Sequence, residues 1–236
     1  LIHCAIPFVG NNYCDSYPKI LLYASAENLT GYNGYLDDDA KALNRYRSFY
    51  EHSKKAKKDF FPDVHIAPIS DGSLILVVLY LLKHLGINKN TSTPFDLIES
   101  ISFSNFGKYS VSTPKNTDYA NDINKLRESI DYIACDIETI KPDILILPNT
   151  IYKHKEIRDK LKLLNSEMKC IPIYQINASV INQTISKYYS RKVDLDNEVS
   201  NWYLKLHKNK ITGKTKNNFL SVFTYLDKVF EENKIV

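Results

Sequence analysis

The clearest periodic signal in the chain lies between Asp118 and Ile140. Ile123, Leu126, Ile130, Ile133, Ile137 and Ile140 recur there at spacings of three and four. At 3.6 residues per turn only a helix gathers such positions onto one stripe, so an amphipathic helix is predicted that stops before "KPD". "SDGSLILVVLYLLKHLG" predicts a second helix, with Ser70 or Asp71 as N-cap, an apolar body and Gly86 as the stop. "LDDDAKALNRYRSFYEHSKKAKK" begins with acids and ends with bases, the order that the helix dipole favours, and is also expected to be helical. So are His154 to Leu164 and, after about residue 183, a C-terminal extension broken near "NKITGKTKNN".

Short apolar runs between these helices read as strands. They are "PKILLY" (Pro18 to Tyr23), "FDLIESISFSNF" (Phe95 to Phe106), "DILIL" (Asp143 to Leu147) and "CIPIY" (Cys170 to Tyr174). Strands that alternate with helices predict an α/β fold: a three-layer α/β/α domain over residues 1–236 around a central, mainly parallel four-stranded sheet. Ligands of such sheets bind at the carboxyl ends of the strands.

Composition narrows the class. With 236 residues, 44% of them hydrophobic, the chain can bury one substantial core. The longest apolar run, Leu74 to Leu82, is too short to cross a bilayer and ends at Lys83 and His84. The opening "LIHCAIPF" has no basic stretch ahead of an apolar one, so the expected location is the cytoplasm. Cys4, Cys14, Cys135 and Cys170 form no CxxC pair, and neither a metal nor a cofactor is expected. Net charge is only +4, but bases cluster in "KKAKK", "KHKEIRDKLK" and "KLHKNKITGKTK", either as solvated faces or as contacts for a polyanion.

The loops at the strand ends, "ASAENLTGYN", "NFGKYS", "PNTIYKH" and "QINASVIN", are rich in amides and hydroxyls. Asn28, Asn105, Asn149, Gln175 and Asn177 each offer donor and acceptor side by side, as the edge of a nucleobase requires.

The order of these segments resembles the uracil-DNA glycosylase superfamily over roughly Lys19 to Asn182. "KILLYASAEN" resembles the family's first-strand motif, GEAPG or GQDPY. "APISDGSLILVVLYLLKHLGI" resembles its Gly- and Leu-rich stretch before a helix. "ISFSNFGKYS" resembles the strand that carries the base-reading Asn. "CDIETIKPDILILPNTIYKH" is similar to the segment that ends in "vivaLG", and "IYQINASVIN" stands where the family writes HPS. The first motif departs in lacking its glycines, and the last in having Gln175 or Asn177 at the place of the catalytic His.

The resemblance implies a DNA glycosylase that flips a damaged or modified base and hydrolyses its N-glycosidic bond, in DNA repair or in defence against modified viral DNA. Glu27, with Asn28, takes the role of activating water or stabilising the sugar cation; the alternative is a turn cap. Gln175 and Asn177 donate to the departing base, or serve as an ordinary polar loop. Asn105 reads the base, or ends a strand as a turn residue; Ser25 helps, and Phe103 or Phe106 stacks on the base or belongs to the core. Lys108, Ser179, Lys153 and His154 are expected on the DNA backbone, with a plain surface lysine the other reading of Lys108. His65 reads more readily as a structural histidine than as part of the pocket. A monomer acting on DNA without a membrane is expected. The departures support an alternative: a non-catalytic nucleic-acid or nucleotide-binding protein that kept the fold. A serine hydrolase using Ser25 lacks the GxSxG elbow.

Overall fold

The computed structural model describes residues 7–28, 73–86, 99–111, 123–174, 176, 178–189 and 213–235. They group into two compact units, Leu1–Tyr50 with Ile98–Tyr174 and Glu51–Leu97 with Gln175–Val236. The C-terminal helix therefore belongs with the helix of residues 73–84, where the sequence suggested an extension to a single domain. The helix expected over Leu36 to Lys58, and His65, lie outside the described residues.

The first unit is a mixed α/β structure. Its strands are β1 (Phe8–Val9), β2 (Ile20–Asn28), β3 (Ile101–Val111), β4 (Ile144–Pro148) and β5 (Lys169–Ile173), in the order β1-β3-β2-β4-β5. The four strands from β2 to β5 are mutually parallel. The sheet has five strands rather than four, because β1 adds an antiparallel edge, pairing Phe8 with Phe103. Two contacts fix that edge: Ser102 Oγ donates to the Phe8 carbonyl at 2.6 Å, and Gly10 N donates to the Ile101 carbonyl at 3.0 Å. Gly10 is required by proximity, since a Cβ there would stand 2.1 Å from the Glu99 carbonyl oxygen.

Parallel strands are covered on both faces and so lose the alternation of a half-exposed strand. β4, "ILILP", is buried at every position. β5 lies at the other edge and carries Pro172, a residue that sheets tolerate at edges because it lacks a ladder donor.

Helix α1 (Ser73–His84) belongs to the second unit. Helices α2 (Ile123–Ile140), α3 (Asn149–Tyr152) and α4 (Lys155–Leu164) follow in the first. The stripe read from the sequence is the buried one: Leu126, Ile133, Ile137 and Ile140 of α2 join Ile157 and Leu161 of α4 in a core with Leu21, Tyr23, Phe106, Leu145 and Leu147. Full burial of each such aliphatic side chain contributes roughly 1.5 to 3 kcal/mol. α2 stops where Lys141 takes a positive φ of 51° and donates its N–H to the Ile137 carbonyl; Pro142 then prevents continuation.

In the second unit, α5 (Ala178–Val180) and α6 (Ser186–Tyr189) flank a π-helical turn, Ile181–Ile185, and α7 spans Gly213–Glu232. "GKTKNN", in the segment where the extension was expected to break, therefore opens a helix. Lys214 and Lys216 at its start and Glu231 and Glu232 at its end oppose the helix dipole. The helix is held instead by a buried stripe of Phe219, Val222, Phe223, Leu226, Val229 and Phe230. α1 ends as expected at Gly86, which has φ 66°. Its Tyr80 stacks on Phe223 at 4.7 Å and donates to Asp227 Oδ1 at 2.8 Å, and His84 Nε2 lies 2.7 Å from the same oxygen.

Candidate functional site

The connection from β2 leads to β3 on one side of it, whereas β4 lies on the other. Such a reversal is where open α/β sheets form a crevice at their carboxyl ends. Here β2 pairs with β4 only over Ile20 to Leu22 and then runs on alone to Asn28 on that side. Ser25, Glu27 and Asn28 thus stand on the part of β2 that runs beyond its pairing with β4.

Asn105 lies inside β3, not at its exit, because the strand continues to Val111. The turn-residue reading of Asn105 therefore fails. The ladder pairs it with Ala24, near the middle of two adjacent parallel strands, and its side chain is half-buried. Phe103 precedes it on the same face, with its ring 4.8 Å from that of Phe8. Of the four expected base contacts, Asn105 and Phe103 accordingly lie together on one face.

The two-residue period of a strand sends the others elsewhere. Ser25 and Phe106 are on the opposite, helix-bearing face. Phe106 is wholly buried and meets Tyr23 edge to face at 5.6 Å, so it is core and offers no stacking surface. Lys108 shares that face. Its side chain has 0% exposure, forms an ion pair with Asp136 of α2, hydrogen-bonds Ser104 Oγ at 3.2 Å and lies 5.3 Å from the Tyr23 ring centre. Neither a phosphate contact nor a plain surface lysine fits a group so enclosed. An ammonium buried without a counter-charge would be strongly unfavourable, and Asp136 supplies that charge.

Tyr23 Oη donates to Asp136 Oδ2 at 2.6 Å, and Lys108 N donates to Ser129 Oγ at 3.1 Å. This polar cluster was missed in the sequence because the strand was expected to end at Phe106. Extending the alternation Ser102, Ser104, Phe106 by one step places Lys108 inward, and Asp136 borders the Ile133 and Ile137 stripe.

Lys153 is exposed and His154 half-buried between α3 and α4, directly beyond the carboxyl end of β4. Arg158 donates to the carbonyls of Tyr152 and Lys153 at 3.0 and 2.8 Å and so closes this corner. Burial and the neighbouring Cys170 raise the Tyr152 phenol, against the opposing effect of Arg158, so it stays protonated at neutral pH. Ser179 is exposed on α5 of the second unit. Gln175 and Asn177 lie outside the described residues, and of Glu27 and Asn28 the backbone position is what the structure describes.

Among the described residues, no group of three or more His, Cys, Asp or Glu side chains is placed to hold a metal ion. Among them also, no helix is long and apolar enough to cross a membrane. No family model, no curated protein and no solved structure matches the chain.

Proposed function

We propose that the protein is a DNA glycosylase of the uracil-DNA glycosylase type, with the three-layer α/β/α form of that superfamily, acting as a cytoplasmic monomer on a flipped base. The observation that carries this reading is the pairing of Ala24 with Asn105. It sets a half-buried amide of β3 opposite β2 three residues ahead of Glu27, on the strand from which the order of the parallel sheet reverses. In this reading Asn105 makes two hydrogen bonds to the Watson–Crick edge of the base. Phe103 borders the same face.

Glu27 orients or deprotonates a water that attacks C1′. The C1′–N bond breaks through an oxocarbenium-like sugar, hydroxide is added to C1′, and the base leaves with a proton. Gln175 and Asn177 would stabilise the departing base. Lys153 and His154, beyond β4, are the first-unit groups suited to a phosphate; Lys108 drops out of that role because it is buried.

The test is to incubate the protein with single- and double-stranded DNAs that contain uracil or enlarged modified bases, then heat them in alkali to cut at abasic sites. Cleavage of at least one substrate is expected. Glu27→Gln should lower the rate about 10²- to 10⁴-fold, as for loss of a general base. Asn105→Ala should weaken discrimination by about 1 to 3 kcal/mol. Strand breaks on no substrate, together with binding that weakens steeply with salt, would leave a non-catalytic nucleic-acid binder as the better description.

A further inference from the structure

One carboxylate oxygen of α2 serves two adjacent strands. Asp136 Oδ2 accepts from Tyr23 Oη of β2 and from Lys108 Nζ of β3. Lys108 is tied to the helix a second time through its backbone, since its N–H donates to Ser129 Oγ. Ser129 and Asp136 are two helical turns apart on one side of α2, so β3 is clamped along the helix axis and not merely touched at one point.

On β3 the clamp sits where regular pairing ends, and on β2 it sits three residues earlier, at Tyr23 opposite Ser104. Pairing is regular from Ile20 opposite Ile101 through Ala24 opposite Asn105 and Ala26 opposite Gly107. It then shifts, so that Asn28 faces Val111. Lys108 is the first residue beyond the last regular pair, and Tyr23 is two residues before Ser25. A buried ion pair is a poor source of net stability compared with well-packed apolar side chains of similar volume, but it demands one geometry.

We propose that Asp136, through Tyr23 and Lys108, is a positioning residue that holds β2 and β3 in register over the second half of their regular pairing, from Tyr23 opposite Ser104 to Ala26 opposite Gly107, and with them Asn105 and the stretch of β2 that leads to Glu27. The role assigned to Asn105 rests on the glycosylase reading; the clamp itself does not. The cluster occupies the helix-bearing face, so it acts through the backbone of both strands, and the opposite face carries Asn105 and Phe103.

Two variants test this. Tyr23→Phe keeps the ring and removes one donor to Asp136. Lys108→Met combined with Asp136→Leu replaces the pair by apolar groups. Native-state amide hydrogen exchange should speed up about tenfold or more at residues 24–26 and 105–108 in both, with the amides of β4 unchanged. On a DNA that the unmodified protein processes, kcat should fall about 100-fold in the double variant with KM within about twofold, as for a small misplacement of reacting groups.

Unchanged exchange in both stretches, or equal acceleration throughout β4, overturns the clamp. Local acceleration with unaltered kcat overturns its catalytic relevance. If the double variant does not fold, Tyr23→Phe decides alone. If the unmodified protein releases no base from any DNA, the glycosylase reading falls, and the exchange pattern still decides whether Asp136 positions the strands.

Discussion

Replacing Asp136 by Asn would leave the Lys108 ammonium in place without a counter-charge. The Lys108 side chain has 0% exposure and that of Asp136 13%, so water can reach the rim of the pair but not the ammonium. Breaking a buried pair from one side costs about 3 to 5 kcal/mol, and Asn retains an oxygen that can still accept from Tyr23, which points to the lower end of that range. For a chain of this length each kcal/mol lowers Tm by about 2 to 4 °C, so a drop of about 6 to 12 °C is expected for a loss of about 3 kcal/mol. Lys108→Met leaves a carboxylate that keeps the Tyr23 hydroxyl and a little water, and should cost only about 1 to 3 kcal/mol. The double change of Lys108→Met and Asp136→Leu removes both charges and should lie within about 1 kcal/mol of the unmodified protein. The measurement is thermal unfolding followed by circular dichroism on these four proteins and on Asp136→Leu, the single variant that closes a double-mutant cycle with Lys108→Met. A Tm shift below about 2 °C for Asp136→Asn, or a double variant that loses as much as Lys108→Met and Asp136→Leu together, would refute the reasoning.

Other expectations follow from separate parts of the molecule. Gly10→Ala brings a Cβ to 2.1 Å from the Glu99 carbonyl and should cost about 1 to 3 kcal/mol, seen as a lower urea midpoint with selective loss of protection at the Gly10 and Asn12 amides. Burial pushes the Cys170 thiol up from its ordinary 9.0 to about 11, so at pH 8 iodoacetamide should label the exposed Cys14 and Cys135 and spare Cys170, as read by peptide mass spectrometry. Because the folded state holds that proton more tightly than the unfolded chain, the associated stability is present below pH 9 and is lost as the pH rises from 9 to 11. Tyr80→Phe keeps the stack on Phe223 and removes the bond to Asp227, with an expected loss of about 1 kcal/mol in thermal unfolding.

Hydrophobic periodicity alone determined the class of the fold. The three- and four-residue spacing from Ile123 to Ile140 became the buried stripe of α2, and the apolar runs near Leu21, Phe103, Leu145 and Ile171 became the parallel strands, because burial of a repeated apolar face is a local property of the chain. Gly86 and the Lys141–Pro142 step also acted where the sequence put them, since helix stops depend on backbone conformation.

What the sequence left open depends on register and on partners far along the chain. The two-residue edge strand β1 has too little pattern of its own and exists through pairing with β3. The strand carrying Asn105 runs five residues past its expected end, and that extension decides which side chains face the helices. Lys108 looked like a surface base because lysine is rarely buried; its counter-charge lies 28 residues away on a helix, and only tertiary packing brings the two together. Asn105 was conspicuous as an amide in a strand, but its neighbours on the same face are set by the pairing of β2 with β3, which no local pattern encodes.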